Sequence, residues 1–138
     1  MKEVKHRSDC PVSSVLDIIG DKWTLLIIRD LFSSGQCTYG DFLKSAEKIA
    51  TNILADRLER LEHTGIIVKL EHPESKAKVL YKLTEKGIDM FPILVELVVW
   101  AGKHLDLPLE NNPILHGIDT YGKDEFIHTV MGKLKNTI

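Results

Sequence analysis

The fold is decided by the stretch 49-IATNILADRLERLEHTGIIVKLEHPESKAKVLYKL-83, in which the spacing of apolar residues changes from the period of a helix to that of strands. Its first half places Leu54, Leu58 and Leu61 at i, i+4 and i+7, on one face of a helix. Thr51 is the expected N-cap of this helix. Residues 66–71 and 78–83 then predict two strands, and the polar segment between them predicts the turn of a β-hairpin.

Three more helices are predicted before this stretch. A first helix begins at Pro11, whose missing N–H is harmless there, and ends at Gly20 in a left-handed conformation. Asp21 is the expected N-cap of a second, almost wholly apolar helix. Thr38 and Asp41 form a variant of the capping box at the start of a short third helix. Helices that lead directly into a hairpin predict a winged helix-turn-helix, a mainly α fold with a small β-hairpin (α+β).

The next long helix is predicted over 91–104 and is apolar on nearly every side. A small domain covers only part of such a helix, so we expect the rest to form a subunit interface. The expected dimer contacts are Leu94, Val95, Leu97, Val98, Val99 and Trp100. The predicted organisation is a winged helix-turn-helix and dimerisation domain over 8–104 and an extension over 105–138 with one helix near 124–135.

Composition narrows the function classes. The 138 residues carry 18 basic and 20 acidic side chains, so any nucleic-acid surface must be local. The two cysteines cannot form a disulfide scaffold, and the longest apolar runs fall short of the roughly 20 residues of a membrane span. The six scattered histidines show no metal-ligand spacing, and no Gly-rich phosphate loop or nucleophile elbow occurs. We therefore expect a cytoplasmic protein that is not an enzyme and has no metal or other cofactor.

The helix over 51–63 is the predicted recognition helix of the winged helix-turn-helix. The first turn of such a helix usually contacts base edges in the major groove. An Asn side chain can bind adenine through two hydrogen bonds, and an Ala methyl group can contact thymine. The predicted base-contacting residues are Thr51, Asn52 and Ala55; the predicted phosphate-contacting residues are Lys48, Arg57, Arg60, Lys76 and Lys78.

Five of these assignments have a simpler alternative. Thr51 and Asn52 could serve only to cap the helix. Arg57 could form a salt bridge to the hairpin inside its own domain, and Lys76 and Lys78 could belong to a merely solvated turn.

The chain resembles the HxlR-type family of bacterial transcription regulators, which are related to MarR regulators. The matching runs are CPV at 10–12, GDKWTLLIIRDL at 20–31, IATNILADRLERLE at 49–62, GII at 65–67, YKLTEKG at 81–87, and Trp100. The resemblance covers about 8–104 and implies a homodimeric winged-helix repressor or activator that binds a palindromic operator in double-stranded DNA. Many members have a basic residue at the position of Thr38, Lys or Arg at the position of Asn52, and Ser at the position of Ala50. This chain therefore has less local positive charge than those members.

Cys10 is a candidate redox-sensing residue, and the alternative is an unreactive small residue of the core. It precedes Pro11 at a helix N-terminus, with His6 and Arg7 nearby, and such surroundings favour the reactive thiolate. Some members of the resembled family use the matching cysteine to sense oxidants or electrophiles, so the effector is expected to be an oxidant or another small molecule. Cys37 is expected to be inert.

Two alternative functions remain open on the sequence alone. One is a winged-helix module that mediates protein contacts without specific DNA binding. The other is a small-molecule sensor with its ligand at the dimer helix.

Overall fold

The computed structural model describes residues 3–137, which divide into two compact units. The first unit ends at Gly87 and the second begins at Ile88. The division predicted from the sequence, a domain over 8–104 and an extension over 105–138, stays a prediction. No helix within the described residues is both long and apolar enough to cross a membrane.

The first unit combines helices with a small antiparallel sheet. The helices are α1 (Pro11–Ile19), α2 (Thr24–Ser34), α3 (Tyr39–Leu43), α4 (Thr51–His63) and, at the boundary of the unit, α5 (Glu85–Ile88). The strands are β1 (Gln36–Thr38), β2 (Ile67–His72) and β3 (Ser75–Leu83), arranged in the order β1-β3-β2. The helices that lead into the β2–β3 hairpin confirm the predicted winged helix-turn-helix, and we call this hairpin the wing.

The recognition helix α4 is anchored by its apolar face. Leu54, Leu58 and Leu61 are all buried, which confirms the predicted inner stripe. In α3 the ring of Phe42 is also buried, and its centroid lies 6.1 Å from that of Tyr81 in β3. Burying one such side chain contributes about 1.5–3 kcal/mol. The packing of this face leaves the opposite face of α4 exposed.

Strand β1 is an element that the sequence pattern did not predict. It pairs with β3 in antiparallel register, with Gln36 opposite Lys82 and Thr38 opposite Leu80. Three residues are too few to show an alternating pattern. The pairing places Thr38, the N-cap of α3, beside the wing.

The predicted capping box is confirmed, because Thr38 Oγ1 accepts the Asp41 N–H at 3.2 Å and the Asp41 carboxylate accepts the Thr38 N–H at 2.8 Å.

The junction between α1 and α2 differs from its prediction in two respects. Gly20 has a φ of −75°, so the predicted left-handed conformation is wrong. A Cβ at this residue would lie 2.4 Å from the Leu16 carbonyl oxygen, which explains why glycine suits it. The prediction that Asp21 is the N-cap of α2 is also wrong, because the helix begins at Thr24 and Trp23 occupies the N-cap. The Asp21 carboxylate nevertheless accepts the N–H groups of Trp23 and Thr24 at 3.1 Å.

The ends of α4 were predicted with one error. Thr51 is the first residue of the helix, and Ala50 occupies the N-cap without a side-chain hydrogen bond, so the prediction that Thr51 caps α4 is wrong. Gly65 lies just past the helix with a φ of 77°, as its place in the sequence suggested.

The second unit contains α6 (Phe91–His104), α7 (Pro113–Tyr121) and α8 (Lys123–Lys135). The predictions of α6 and α8 are confirmed, whereas α7 was predicted as loop. Pro113 and Gly117 suggested interruptions, but Pro113 occupies the first turn and Asn112 caps the helix by accepting the N–H groups of Ile114 and Leu115 at 3.1 Å.

Candidate nucleic-acid interface

The first turn of α4 is held in place from outside the helix. The Tyr39 hydroxyl, at the start of α3, donates to the Thr51 carbonyl oxygen at 2.5 Å. The turn before α4 passes through Lys48, whose φ of 56° is uncommon for a residue with a side chain. Arg29 of α2 is bonded to the same turn, because it donates two hydrogen bonds of 2.9 Å to the Glu47 carboxylate. These contacts join residues far apart in the sequence, so no local pattern predicted them.

The predicted base-contacting residues share one exposed surface. Thr51, Asn52 and Ala55 are all exposed at the start of α4, outside its buried stripe of leucines. Asp56 and Glu59 are exposed one turn further along. A duplex would therefore meet small and neutral polar groups at the start of α4 and carboxylates further on. This arrangement favours contact through the first turn.

The predicted phosphate-contacting lysines are exposed near this turn and on the wing. Lys48 precedes α4, while Lys76 and Lys78 lie on β3. Lys78 also lines an open cleft of about 380 Å³ together with Tyr39 and Lys44. The lysines thus remain accessible to a ligand.

The two arginines of α4 are engaged within the chain. Arg57 Nε donates to Asp21 Oδ2 at 2.9 Å and its Nη1 donates to Asp56 Oδ2 at 2.5 Å. Arg60 lies 3.8 Å from Asp21 and 3.6 Å from Asp56. The sequence allowed a salt bridge from Arg57 to the hairpin, but the observed partner of Arg57 across the fold is Asp21, ahead of α2.

The protonation of these groups reflects the pairing. Burial raises the pKa of Asp21, but hydrogen bonds from Thr24, Arg57 and the Trp23 N–H outweigh this and lower it to about 2. Hydrogen bonding to Asp21 raises the pKa of Arg57 above its ordinary value. The carboxylate and the guanidinium therefore both stay charged across the neutral range.

A family model described as HxlR-like helix-turn-helix matches residues 18–108. The chain belongs to this family. The match spans the region from the end of α1 to just beyond α6, and so includes α4 and the wing. This HxlR-like chain is therefore a DNA-binding transcriptional regulator.

Curated relatives of this HxlR-like chain are described as HTH-type transcriptional regulators. An uncharacterised HTH-type transcriptional regulator from Synechocystis is 36% identical over 88 residues, which cover 64% of each chain. Another from Halalkalibacterium halodurans is 32% identical over 102 residues, covering 74% of this chain and 90% of that one. The HTH-type transcriptional regulator YodB from Bacillus subtilis is 33% identical over 93 residues, covering 67% of this chain and 82% of YodB.

Solved structures show the same fold. The putative transcription factor PA1607 is 40% identical with a TM-score of 0.66, covering 77% of this chain and 72% of that one. The reduced form of YodB from B. subtilis is 30% identical with a TM-score of 0.59, covering 72% of this chain and 97% of YodB. The redox regulator HypR in its oxidised form is 29% identical with a TM-score of 0.63, covering 71% of this chain and all of HypR. YodB has also been solved bound to quinone and after treatment with diamide.

Cys10 is exposed at the N-cap position of α1 in this HxlR-like chain, with Pro11 in the first turn. The cations expected near its thiol, His6 and Arg7, interact with Asp17 instead. Arg7 Nε donates to Asp17 at 2.5 Å, and His6 lies 3.9 Å from the same carboxylate. Burial raises the pKa of Asp17, but the hydrogen bonds from Arg7 lower it by more, so the carboxylate stays charged. Of the features expected to activate Cys10, exposure and the helix N-terminus are therefore present, whereas the two cations are paired with Asp17.

Cys37 has the opposite surroundings. Its side chain is buried in β1, and burial together with the nearby charge of Asp30 raises the pKa of the thiol to about 11. At neutral pH this thiol is protonated and shielded, which is consistent with the prediction that Cys37 is inert.

The predicted dimer contacts on α6 fall into two groups. Leu94 and Val95 are buried within the single chain. Leu97 and Trp100 are 50% and 58% exposed, and Val98 and Val99 are partly exposed between them. Only the second group is open to a partner.

Proposed function

We propose that this regulator binds a palindromic operator as a homodimer, with the first turn of α4 in the major groove and the wing against the adjacent backbone. The observation that supports this most directly is the exposed surface formed by Thr51, Asn52 and Ala55, flanked by Lys48. Neutral polar groups at the start of a recognition helix are suited to base edges, and lysines beside them are suited to phosphates.

Dimerisation is the part of the proposal that rests on α6. Leu97 and Trp100 expose large apolar surface on one helix, together with Ile93. Covering this surface with a second copy removes it from water, which is the main driving force for association. A two-fold dimer presents its recognition helices to half-sites about 34–36 Å apart.

The experiment that tests DNA binding starts from a pool of random duplexes. The protein selects its preferred duplex, and fluorescence anisotropy then measures its affinity for that duplex and for a scrambled one. Asn52→Ala should weaken the selected complex by about 1–3 kcal/mol and relax the preference at one base pair. Asn111→Ala, which alters an exposed asparagine outside the matched region, is the matched control and should change nothing. Equal affinity for both duplexes would contradict specific binding and favour a module for protein contacts.

The dimer is tested by analytical ultracentrifugation. Leu97→Glu puts a charge into the proposed interface and should yield monomers at micromolar concentration. Leu107→Glu changes a leucine of equal exposure that lies outside α6 and should leave the dimer intact. A wild-type chain that sediments as a monomer, or equal effects of the two variants, would refute the interface.

We further propose that modification of Cys10 changes DNA binding in response to an oxidant or electrophile. The specific observation is the contrast between an exposed thiol at the N-cap of α1 and a buried second thiol. A quinone would react by addition: the Cys10 sulfur forms a bond to a ring carbon, the thiol proton ends on one ring oxygen, and the hydrogen of the attacked carbon moves to the other ring oxygen, which gives a hydroquinone thioether. Diamide would instead accept two hydrogens from two Cys10 thiols of different copies and leave a disulfide.

The test compares DNA binding before and after treatment with benzoquinone or diamide. The wild type should gain one adduct, or form a disulfide-linked dimer, and its affinity for the selected duplex should change. Cys10→Ser should lose both the modification and the change in affinity, while Cys37→Ala should respond like the wild type. An unaltered response in Cys10→Ser would refute the role of this thiol.

A further inference from the structure

Four charged side chains connect the α1–α2 junction to α4. We call them the Asp21 cluster: Asp21, Asp56, Arg57 and Arg60. Asp21 lies 36 residues from Arg57 in the sequence, and the two are joined by a hydrogen bond of 2.9 Å. Arg60 adds a contact to the Ile18 carbonyl oxygen of α1 at 3.5 Å. The cluster is thus a direct polar link between α4 and the helices behind it.

Asp21 makes two kinds of contact with one carboxylate. Its Oδ2 accepts the N–H groups of Trp23 and Thr24 at 3.1 Å and the Arg57 Nε–H at 2.9 Å. Its Oδ1 accepts the hydroxyl of Thr24, a fully buried side chain, at 2.5 Å. The backbone at the start of α2 therefore fixes the carboxylate, and the carboxylate in turn fixes the guanidinium of Arg57.

The charges of the Asp21 cluster cancel. Two carboxylates face two guanidinium groups, and the side chains of Asp21, Arg57 and Arg60 are only 20–26% exposed. A phosphate would have to compete for Arg57 with two carboxylates, since its Nε–H is bonded to Asp21 and its Nη1 to Asp56. Partly buried charge-assisted hydrogen bonds of this kind are among the stronger polar contacts in proteins.

We infer that Asp21 is a positioning residue that sets the orientation of α4 through Arg57 and Arg60, and that these two arginines support the helix instead of binding phosphate. The inference rests on the proposed role of α4 in DNA recognition. It also replaces two of the phosphate contacts predicted from the sequence and leaves that role to Lys48, Lys76 and Lys78.

The geometry indicates why orientation matters for recognition. Arg57 lies six residues after Thr51, which is about 9 Å along the helix axis. A tilt of about 10° around Arg57 would move the first turn by about 1.5 Å, which is enough to break hydrogen bonds to base edges. Contacts to phosphates by flexible lysines would tolerate the same movement. Loss of the link should therefore reduce discrimination between sequences more than general affinity for DNA.

The experiment compares Asp21→Asn with Asp56→Asn in the full chain. Both remove one negative charge beside the same two arginines, but only Asp21 is also bonded to the backbone of α2. Asparagine caps helices about as well as aspartate, so the start of α2 is preserved. The affinities of both variants and the wild type are measured by anisotropy for the duplex that the wild type selects and for a scrambled duplex.

The inference predicts different results for the two variants. Asp21→Asn should lower the ratio of selected to scrambled affinity by about tenfold, which is the effect of removing about one base-pair preference, while scrambled binding stays within twofold. Asp56→Asn should keep the ratio of the wild type. An unchanged ratio in Asp21→Asn would overturn the inference. So would an equal rise in affinity for both duplexes in both variants, because that result would show arginines released to phosphates.

A second measurement decides the role of Arg57 even if Asp21→Asn fails to fold. When a variant no longer neutralises one phosphate, the slope of log K against log salt concentration on the scrambled duplex becomes less steep by about 1. Lys78→Gln should show this change, whereas Arg57→Gln should keep the slope of the wild type. A change in slope for Arg57→Gln equal to that of Lys78→Gln would overturn the inference. Failure of the wild type to select any duplex would instead refute the proposed function, so the two failures are distinguishable.

Discussion

The packing of α7 on α8 leads to a sharp prediction about Gly117→Ala. Gly117 is buried in the middle of α7, and a Cβ there would lie 2.2 Å from Cε1 and 2.4 Å from Cδ1 of Phe126. Ordinary contact begins near 3.4 Å, so the ring would have to move by about 1 Å. Phe91 limits this movement, since the centroids of the two rings lie 5.8 Å apart. The added methyl group is therefore expected to disturb the second unit.

The magnitude follows from two opposing effects. Overpacking of a tightly packed site typically costs about 1–3 kcal/mol. Replacing glycine by alanine inside a helix stabilises it by about 1 kcal/mol. The expected net loss in the free energy of unfolding is about 1 kcal/mol. Gly132→Ala is the matched control, because Gly132 also lies inside a helix, α8, but a Cβ there meets nothing within 4 Å. It should stabilise by up to about 1 kcal/mol.

Hydrogen exchange measured by mass spectrometry on peptides from 113–135 is the appropriate assay, because it reports on α7 and α8 separately from the first unit. Exchange should become several times faster in Gly117→Ala and slower in Gly132→Ala. Combining Gly117→Ala with Phe126→Leu should recover part of the loss. If Gly117→Ala slowed the hydrogen exchange of α7 and α8 as much as Gly132→Ala does, the close packing of Gly117 against Phe126 would be refuted.

Three further predictions concern the first unit. The folded pKa of Asp21 is about 2 against an ordinary 3.8, so its contribution of about 2 kcal/mol should be complete above pH 4 and lost as the pH falls towards 2; urea unfolding of Asp21→Asn should show a flatter pH dependence, and an unchanged slope would contradict this. Iodoacetamide at pH 7.5 should alkylate Cys10 within minutes and leave Cys37 intact in the folded chain, as intact mass will show; equal labelling would refute the burial of Cys37. Thr38→Ala should cost about 1 kcal/mol in urea unfolding because the Asp41 N–H loses its partner, whereas Thr38→Ser should cost less.

Much of the fold could be predicted because it depends on local patterns. The capping box at Thr38 was found because its partner Asp41 is three residues away. The wing was found because the apolar period changes after Gly65. In contrast, Thr51 was wrongly predicted as an N-cap, since its residue type favours that position and the tertiary support at this end comes from Tyr39.

The parts that could not be predicted depend on contacts between distant residues. Helix α7 was missed because glycine and proline suggest a loop, whereas Gly117 is explained by the ring of Phe126, which belongs to the next helix. The expected cationic surroundings of Cys10 were altered by Asp17, ten residues from Arg7. The bond between Asp21 and Arg57 spans 36 residues, so the arginine had the sequence position of a phosphate ligand but the surroundings of a structural residue.

The charge distribution on α4 fits this division of roles. If Arg57 and Arg60 are neutralised by their carboxylates, the outer face of the helix beyond its first turn carries the charge of Glu59 and repels a phosphate backbone. Attraction to DNA then comes from lysines at the two edges of the surface, before α4 and on the wing, and the duplex is drawn to the first turn between them. A regulator whose formal net charge is −2 can bind in this way, because the lysines proposed to contact phosphate lie beside the small polar groups proposed to contact the bases. The orientation of α4 then becomes the property on which recognition depends most.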